Sequence, residues 1–142
     1  MSLEIIIHWH DEDIVEVRAV SSNGRFSGSA YCYANHDVFQ DFANAIRGFP
    51  TSDNDDRSFT IGSFDPQNAG GGFRIHLRCV DLARHITCDV HLRNREGACK
   101  GSIAETAEFS FPVESMAIER FALALDRMKI EGNETAILER AI

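Results

Sequence analysis

Two neighbouring stretches of the chain alternate apolar and polar residues so strictly that they constrain the fold more than any other feature. Every second residue is apolar in both, at Phe73, Ile75, Leu77, Cys79, Ile86, Cys88, Val90 and Leu92. Side chains alternate between the two faces of a β-strand, so each stretch predicts a strand with one buried face. The connection over residues 80–85 is short enough for an antiparallel hairpin. The apolar residues have odd numbers in the first stretch and even numbers in the second. If they lie on the same face of the hairpin, the numbers of two paired residues therefore add to an odd total.

Further strands and two helices are predicted around this hairpin. Apolar runs flanked by turn residues predict strands over residues 4–10, 13–20, 25–33, 58–64 and 102–111. Trp9, Phe26 and Ile103 are expected on buried strand faces. Apolar residues at helical spacing predict one helix between Asn35 and Gly48, and a second over residues 114–129. For residues 133–142 a last strand is favoured over a short helix.

These elements predict an α+β fold in the order βββα-ββββα-β. The expected architecture is one antiparallel sheet of about six to eight strands, with both amphipathic helices on one face. A length of 142 residues suits a single domain over residues 1–142. The apolar stripes of the two helices match at an offset of 79 residues, with Phe42 on Phe121 and Ile46 on Leu125. This match indicates either an internal repeat or the chance similarity of two amphipathic helices.

Composition and charge limit the partners of the chain. The net charge of −8 argues against nucleic-acid binding, which requires a basic surface, and it favours a basic protein partner. No apolar run approaches the roughly 20 residues needed to span a membrane, and no signal peptide is recognised, so a cytoplasmic location is expected. Cys32, Cys79 and Cys88 fall on the inward strand faces. Free thiols in the core are therefore expected, since no zinc-binding spacing occurs.

The polar alternates of the strands predict a second, solvated sheet face opposite the helices. Five of the six histidines fall on this face, at His8, His10, His76, His85 and His91. The same face is expected to carry residues of a partner-binding surface, at Tyr31, Tyr33, Arg74, His76, Arg78 and His91. Across the hairpin, His76, Asp89 and His91 form an alternative set of metal ligands. Arginines among them would repel a cation, so a solvated polar face without metal is the favoured interpretation, and no cofactor is expected.

Catalytic motifs offer little support for an enzyme. The sequence contains no G-x-S-x-G, no Cys–His signature and no H-E-x-x-H. The three glycines at 70–72 lack the Lys-Ser/Thr that follows a phosphate-binding loop, and they precede a strand instead of a helix. They are interpreted as a flexible turn.

Two clusters of acidic residues remain. One lies between the first two predicted strands, at Asp11, Glu12 and Asp13, and the other follows the first helix, at Asp53, Asp55 and Asp56. Such clusters are typical of solvated loops. Their functional interpretation is a docking surface for a basic protein, because opposite charge accelerates encounter.

The order of elements and several packing motifs resemble a known family. The motifs are F-x-x-F-A-x-x-I from Phe39 to Ile46, F-x-F-P-V-E from Phe109 to Glu114, and E-R-F-A-x-x-L from Glu119 to Leu125. Together with the ending T-A-I-L, they make residues 25–138 similar to the small bacterial immunity proteins of the WapI type and to related uncharacterised families. The resemblance implies a cytoplasmic antidote that binds and blocks a toxin domain. It carries over no functional residues, since the matching positions are core positions.

The sequence therefore favours a non-enzymatic binding protein, an immunity-type inhibitor of a toxin, with a basic toxin domain as its expected partner. The alternative is a small-molecule or metal-binding domain that uses the His-rich sheet face.

Overall fold

The computed structural model of the protein describes residues 2–68, 70–95, 103–128 and 134–141. Within these ranges it contains eight strands and two helices. The strands are β1 (Leu3–His10), β2 (Ile14–Ser22), β3 (Ser27–Asn35), β4 (Asp56–Gly62), β5 (Gly72–Cys79), β6 (Ile86–Arg95), β7 (Ala104–Val113) and β8 (Thr135–Leu138). The helices are α1 (Val38–Ile46) and α2 (Ser115–Asp126). Neither helix is long and apolar enough to cross a membrane.

The strands form two antiparallel sheets of four. Sheet A has the order β3-β2-β1-β8, and sheet B has the order β4-β5-β6-β7. The α+β class and the order βββα-ββββα-β are confirmed, as is the final strand. The expectation of one continuous sheet is wrong. The chain instead consists of two halves that each run through three strands, a helix and a fourth strand, and the fourth strand pairs outside its own meander: β8 joins β1, and β4 joins β5.

The central hairpin has the predicted register. Phe73 pairs with Leu92, Ile75 with Val90 and Leu77 with Cys88, so the numbers in each pair add to an odd total. All of these side chains are buried, and Arg74, His76 and His91 lie on the opposite face. The alternation of the sequence therefore fixes which face of sheet B is covered.

The two helices contact each other through residues related by the predicted offset. Phe42 meets Phe121 edge-to-face with ring centroids 5.4 Å apart, and the Arg47 guanidinium lies 2.6 Å from the Asp126 carboxylate. Both pairs are 79 residues apart. Helix α1 packs against β4, where Phe42 also stacks on Phe59 at 4.6 Å, and α2 packs against β8. The repeated helix pattern thus coincides with two halves of the same strand-and-helix order.

A β-bulge in β1 overturns the prediction that Trp9 points inward. Ile7 pairs with Val17, but Trp9 pairs with Glu16, so His8 is an extra residue in the ladder. An extra residue reverses the alternation beyond it. Trp9 therefore shares the outer face of sheet A with Glu16, and 49% of its surface is exposed.

Two other residues predicted to face inward are exposed, because they lie just outside a strand. Phe26 precedes β3 and is 64% exposed, and Ile103 precedes β7. The cysteine prediction is confirmed for the described positions: Cys32 and Cys88 are buried free thiols, and Cys79 is a half-buried one. Burial raises the pKa of Cys32 to about 12. Cys99 lies outside the described residues.

The triple-glycine stretch is a point of close backbone contact, which corrects its interpretation as a flexible turn. The Gly71 N–H donates to the Tyr31 carbonyl at 3.1 Å, and this bond ties the β4–β5 loop to the edge of β3. A Cβ at Gly71 would lie 2.5 Å from the Arg93 carbonyl oxygen and 2.6 Å from that of Tyr31. Only glycine allows the three backbones to approach this closely.

Gly71→Ala is expected to lower the free energy of unfolding by about 1–3 kcal/mol, because backbone atoms must move apart to admit the methyl group. Gly70→Ala is the matched control: its nearest neighbour would be a Tyr33 ring carbon at 3.4 Å, an ordinary contact. Urea unfolding of both variants tests this. Equal stability of the two variants would contradict the close-approach interpretation.

Candidate functional site

The outer face of sheet B carries polar side chains arranged in rows across its four strands. One row consists of Thr60, Arg74, His91 and Glu108, and the next consists of Ser58, His76, Asp89 and Ser110. The predicted polar face of the hairpin therefore exists. Arg93 is an exception: it is buried, because the β4–β5 loop covers it and its guanidinium donates to the carbonyls of Ser63 and Gly70.

Asp89 is the centre of an ion-pair network on this face. Its carboxylate accepts hydrogen bonds from Arg78 at 2.8 Å and from the Ser110 hydroxyl at 2.5 Å. Partial burial acts to raise the pKa of Asp89, but these two donors together outweigh burial, so the pKa is lowered. His76 lies between two carboxylates, 2.8 Å from Asp56 and 3.5 Å from Asp89. Both of its ring nitrogens therefore face acids, and neither is directed at a serine hydroxyl.

The alternative metal site at His76, Asp89 and His91 is not formed. Asp89 is already occupied by Arg78 and Ser110, and the His91 ring packs on Phe64 with centroids 4.4 Å apart. Across the described ranges, no three His, Cys, Asp or Glu side chains are grouped so as to hold a metal ion. The histidines are also divided between the sheets: His8 and His10 lie on β1, while His85 lies in the β5–β6 turn and bonds Asp81.

The acidic cluster after α1 is largely neutralised by basic neighbours. Asp53 pairs with Arg84 at 3.0 Å, Asp55 with Arg57 at 2.8 Å, and Asp56 with His76. The hydrogen bonds from Arg57, with further ones from the Thr51 amide and hydroxyl, lower the pKa of Asp55 to about 2. This cluster therefore anchors the α1–β4 loop to sheet B and offers little free charge to a partner.

Sheet A presents a different surface at its β1–β2 end. Trp9, Glu16 and Tyr33 are paired across β1, β2 and β3, with Trp9 and Tyr33 each about half exposed, at 49% and 50%. Ile14 lies on the same face, diagonal to Tyr33, and is also exposed. Three large apolar side chains are therefore exposed on this face, with Glu16 lying between Trp9 and Tyr33.

Glu16 and His8 hold this row in place. His8 Nδ1 lies 2.5 Å from the Glu16 carboxylate, and the His8 ring meets Tyr31 edge-to-face at 4.9 Å. Hydrogen bonding to Glu16, together with its negative charge, raises the pKa of Tyr33. Glu16 is therefore hydrogen-bonded to both His8 and Tyr33, and these contacts hold the two rings in position.

Four carboxylates border the exposed row. Asp11, Glu12 and Asp13 form the β1–β2 turn, and Asp37 lies beside it because Asn35 pairs with Ile14. Asp11 accepts the backbone N–H groups of Ile14 and Asp13, both at 2.8 Å, and these bonds lower its pKa. In the described structure none of the four pairs with a lysine or arginine, so their charge faces solvent. We call Trp9, Ile14, Tyr33, Asp11, Glu12, Asp13 and Asp37 the aromatic–acidic patch.

The residues predicted to bind a partner are thus divided between surfaces. The aromatic–acidic patch includes Asp11, Glu12, Asp13 and Tyr33. Tyr31 lies next to Tyr33 on the same face of β3. Arg74, His76, Arg78 and His91 lie on sheet B, and the 53–56 acids lie in the loop beside it. The sequence interpretation missed Trp9, Ile14, Glu16 and Asp37. For Trp9 the only available signal in the sequence was its position next to the acidic turn, in the stretch HWHDED at residues 8–13.

No protein-family model, curated protein or solved structure matches the chain. The resemblance to WapI-type immunity proteins therefore stays a hypothesis, and the function has to be inferred from the surfaces themselves.

Asp55→Asn is expected to lower the free energy of unfolding by about 1–2 kcal/mol at pH 7, because the charged hydrogen bonds to Arg57 are lost. The pKa of Asp55 falls from its ordinary value of 3.8 to about 2 on folding. Its stabilising contribution is therefore complete above pH 4 and disappears as the pH falls toward 2.

Urea unfolding from pH 7 to pH 2 tests this expectation, with Asp13→Asn as the control that removes a charge without an ion pair. The gap between wild type and Asp55→Asn should close on acidification, while Asp13→Asn follows wild type throughout. A gap that stays constant with pH would show that the Asp55 charge is not the cause.

Proposed function

We propose that the chain is a non-enzymatic binding protein that inhibits a partner by docking its aromatic–acidic patch onto a basic surface. The observation that supports this is the juxtaposition of exposed Trp9, Ile14 and Tyr33 with four carboxylates that have no lysine or arginine partner among the described residues. Tryptophan and tyrosine are the residues most enriched among those that dominate binding energy at protein interfaces.

The geometry of the patch favours recognition of a macromolecule. Trp9, Glu16 and Tyr33 lie in a row across three paired strands, and the carboxylates of the β1–β2 turn lie along one side of that row. Interfaces between proteins commonly combine an apolar centre with a polar rim. Pre-positioning of His8 and Tyr33 by Glu16 also reduces the side-chain entropy that is lost on binding.

The electrostatics of the chain favour a basic partner. The net charge is −8, and Asp53, Asp55 and Asp89 are engaged in ion pairs, whereas the four acids of the patch have no lysine or arginine partner in the described structure. Unpaired carboxylates around an apolar centre attract an oppositely charged protein and orient it during encounter. Association should therefore slow as the ionic strength rises.

The resemblance to WapI-type immunity proteins suggests what the inhibited partner is. Such antidotes bind and block a toxin domain made by the same cell. In this proposal, a basic toxin domain is bound through the aromatic–acidic patch, and inhibition follows from covering its surface, without chemistry by the chain itself.

Co-expression with the product of the neighbouring reading frame tests the proposal. The chain is expected to bind that product and to protect the host cell from it. Trp9→Ala combined with Tyr33→Ala should weaken binding at least about a hundredfold, since each truncation of an aromatic anchor costs about 2 kcal/mol or more. Phe26→Ala is the matched control, because it removes an exposed aromatic ring at the opposite end of β2.

The charge contribution has its own control. Glu12→Gln, Asp13→Asn and Asp37→Asn together should slow association about tenfold at low salt, measured by stopped-flow fluorescence. Glu105→Gln, Glu114→Gln and Glu139→Gln remove three exposed charges elsewhere and should change the rate little. If no neighbouring product is bound and neutralised, or if both triple variants behave alike, the proposal fails.

A further inference from the structure

The outer face of sheet B contains an arginine–histidine pair that the ion-pair network does not use. Arg74 and His91 are directly paired across β5 and β6, so their side chains lie next to each other. They lie in a concavity of about 690 Å³ that opens to solvent. Its polar lining also includes the hydroxyl groups of Ser58, Thr60 and Ser110, the His76 ring, and the carboxylates of Asp89 and Glu108.

Phe64 orients both members of this pair. The Arg74 guanidinium lies 4.8 Å from the centroid of the Phe64 ring, and the His91 ring lies 4.4 Å from the same centroid. Arg74 Nε donates to the Thr60 hydroxyl at 3.2 Å. Among the described residues, the terminal guanidinium nitrogens and both His91 nitrogens have no hydrogen-bond partner. These donors are held in place and left free.

In the adjacent row on the same face of sheet B, by contrast, the charged side chains already have partners. There, Arg78 and Ser110 both donate to Asp89, and His76 lies between Asp56 and Asp89. The acids in that row therefore already have cations beside them. In the row of Arg74, the acid is Glu108, which lies beyond His91 on β7 and makes no ion pair within the described structure. Because Arg78 neutralises Asp89 while Glu108 has no ion-pair partner in the described structure, an anion is favoured only at the Arg74 end of the concavity, which His91 separates from Glu108.

We propose that this concavity binds a small oxyanion, a carboxylate or phosphate group, between Arg74 and His91. The planar guanidinium presents two terminal nitrogens in the fork that matches a carboxylate or phosphate. The imidazole supplies a second donor and the Thr60 hydroxyl a third, whereas the Ser110 hydroxyl already donates to Asp89. This site is independent of the aromatic–acidic patch, which lies on the other sheet.

Titration with inorganic phosphate and with acetate, followed by NMR of the Arg74 and His91 side chains, tests the proposal. Sodium chloride at matched ionic strength is the reference. Saturable shifts at Arg74 and His91 with either oxyanion, and not with chloride, are expected. Arg74→Gln should weaken binding about tenfold or more, because a charged hydrogen-bond donor is lost. Arg25→Gln is the control: it removes an exposed arginine charge from the β2–β3 turn, away from the concavity, and should change the affinity less than about twofold.

Two results would overturn the proposal: a response to chloride equal to that of the oxyanions, or equal losses in Arg74→Gln and Arg25→Gln. The wild-type titration decides independently of how well either variant folds, since the shifts must localise to Arg74 and His91. The combined Trp9→Ala and Tyr33→Ala variant should bind the oxyanion like wild type. Failure of the protein-docking proposal and failure of this one are therefore separable.

Discussion

Neither half of the chain completes a four-stranded sheet on its own, and the rest of the structure depends on that constraint. β8 reaches back to β1 across nearly the whole sequence, and β4 joins the strand that begins the second half. The helices that precede these two strands meet through Phe42 and Phe121. A loss of packing at this contact would therefore loosen both sheets together. The β1–β8 pairing also joins segments from the two ends of the sequence, and closing so long a loop costs chain entropy.

The sequence predicts well which face of each strand is buried, but it predicts poorly which strands pair with each other, and the reason is physical. Alternation depends only on which side of a strand is covered, so Ile75 and Val90 are recognisable as buried without any knowledge of the neighbouring strands. Pairing depends on distant segments, and the same alternation is compatible with one sheet or with two. Trp9 shows the limit of alternation itself. The bulge at His8 has no glycine to announce it, and one extra residue moves Trp9 from the expected interior to the surface.

Whether an acidic residue finds a basic partner also depends on distant segments of the chain. Asp11, Glu12 and Asp13 resemble Asp53, Asp55 and Asp56 in sequence, since both sets are short acidic loops. They differ because Arg84, 31 residues from Asp53 in the sequence, lies beside it in space, and because β4 brings Arg57 to Asp55. At the β1–β2 turn no lysine or arginine pairs with an acid in the described structure, and only His36 and His10 lie near Asp11. Net charge therefore gives the overall balance of the chain, while the fold decides which acids lack a lysine or arginine partner.

The bulge in β1 also contributes to the aromatic–acidic patch, because it turns Trp9 to the outer face of sheet A. The buried row of β1 ends at Ile7, and the inner residues Val17 and Val15 of β2 are fully buried without a contribution from Trp9. Exposing half of a tryptophan and half of a tyrosine forgoes the stabilisation that their burial would provide. Glu16 is hydrogen-bonded to Tyr33 and leaves half of that side chain exposed. The only tryptophan of the chain thus lies half-exposed beside acids that have no lysine or arginine partner in the described structure, a placement that the proposed docking role would explain.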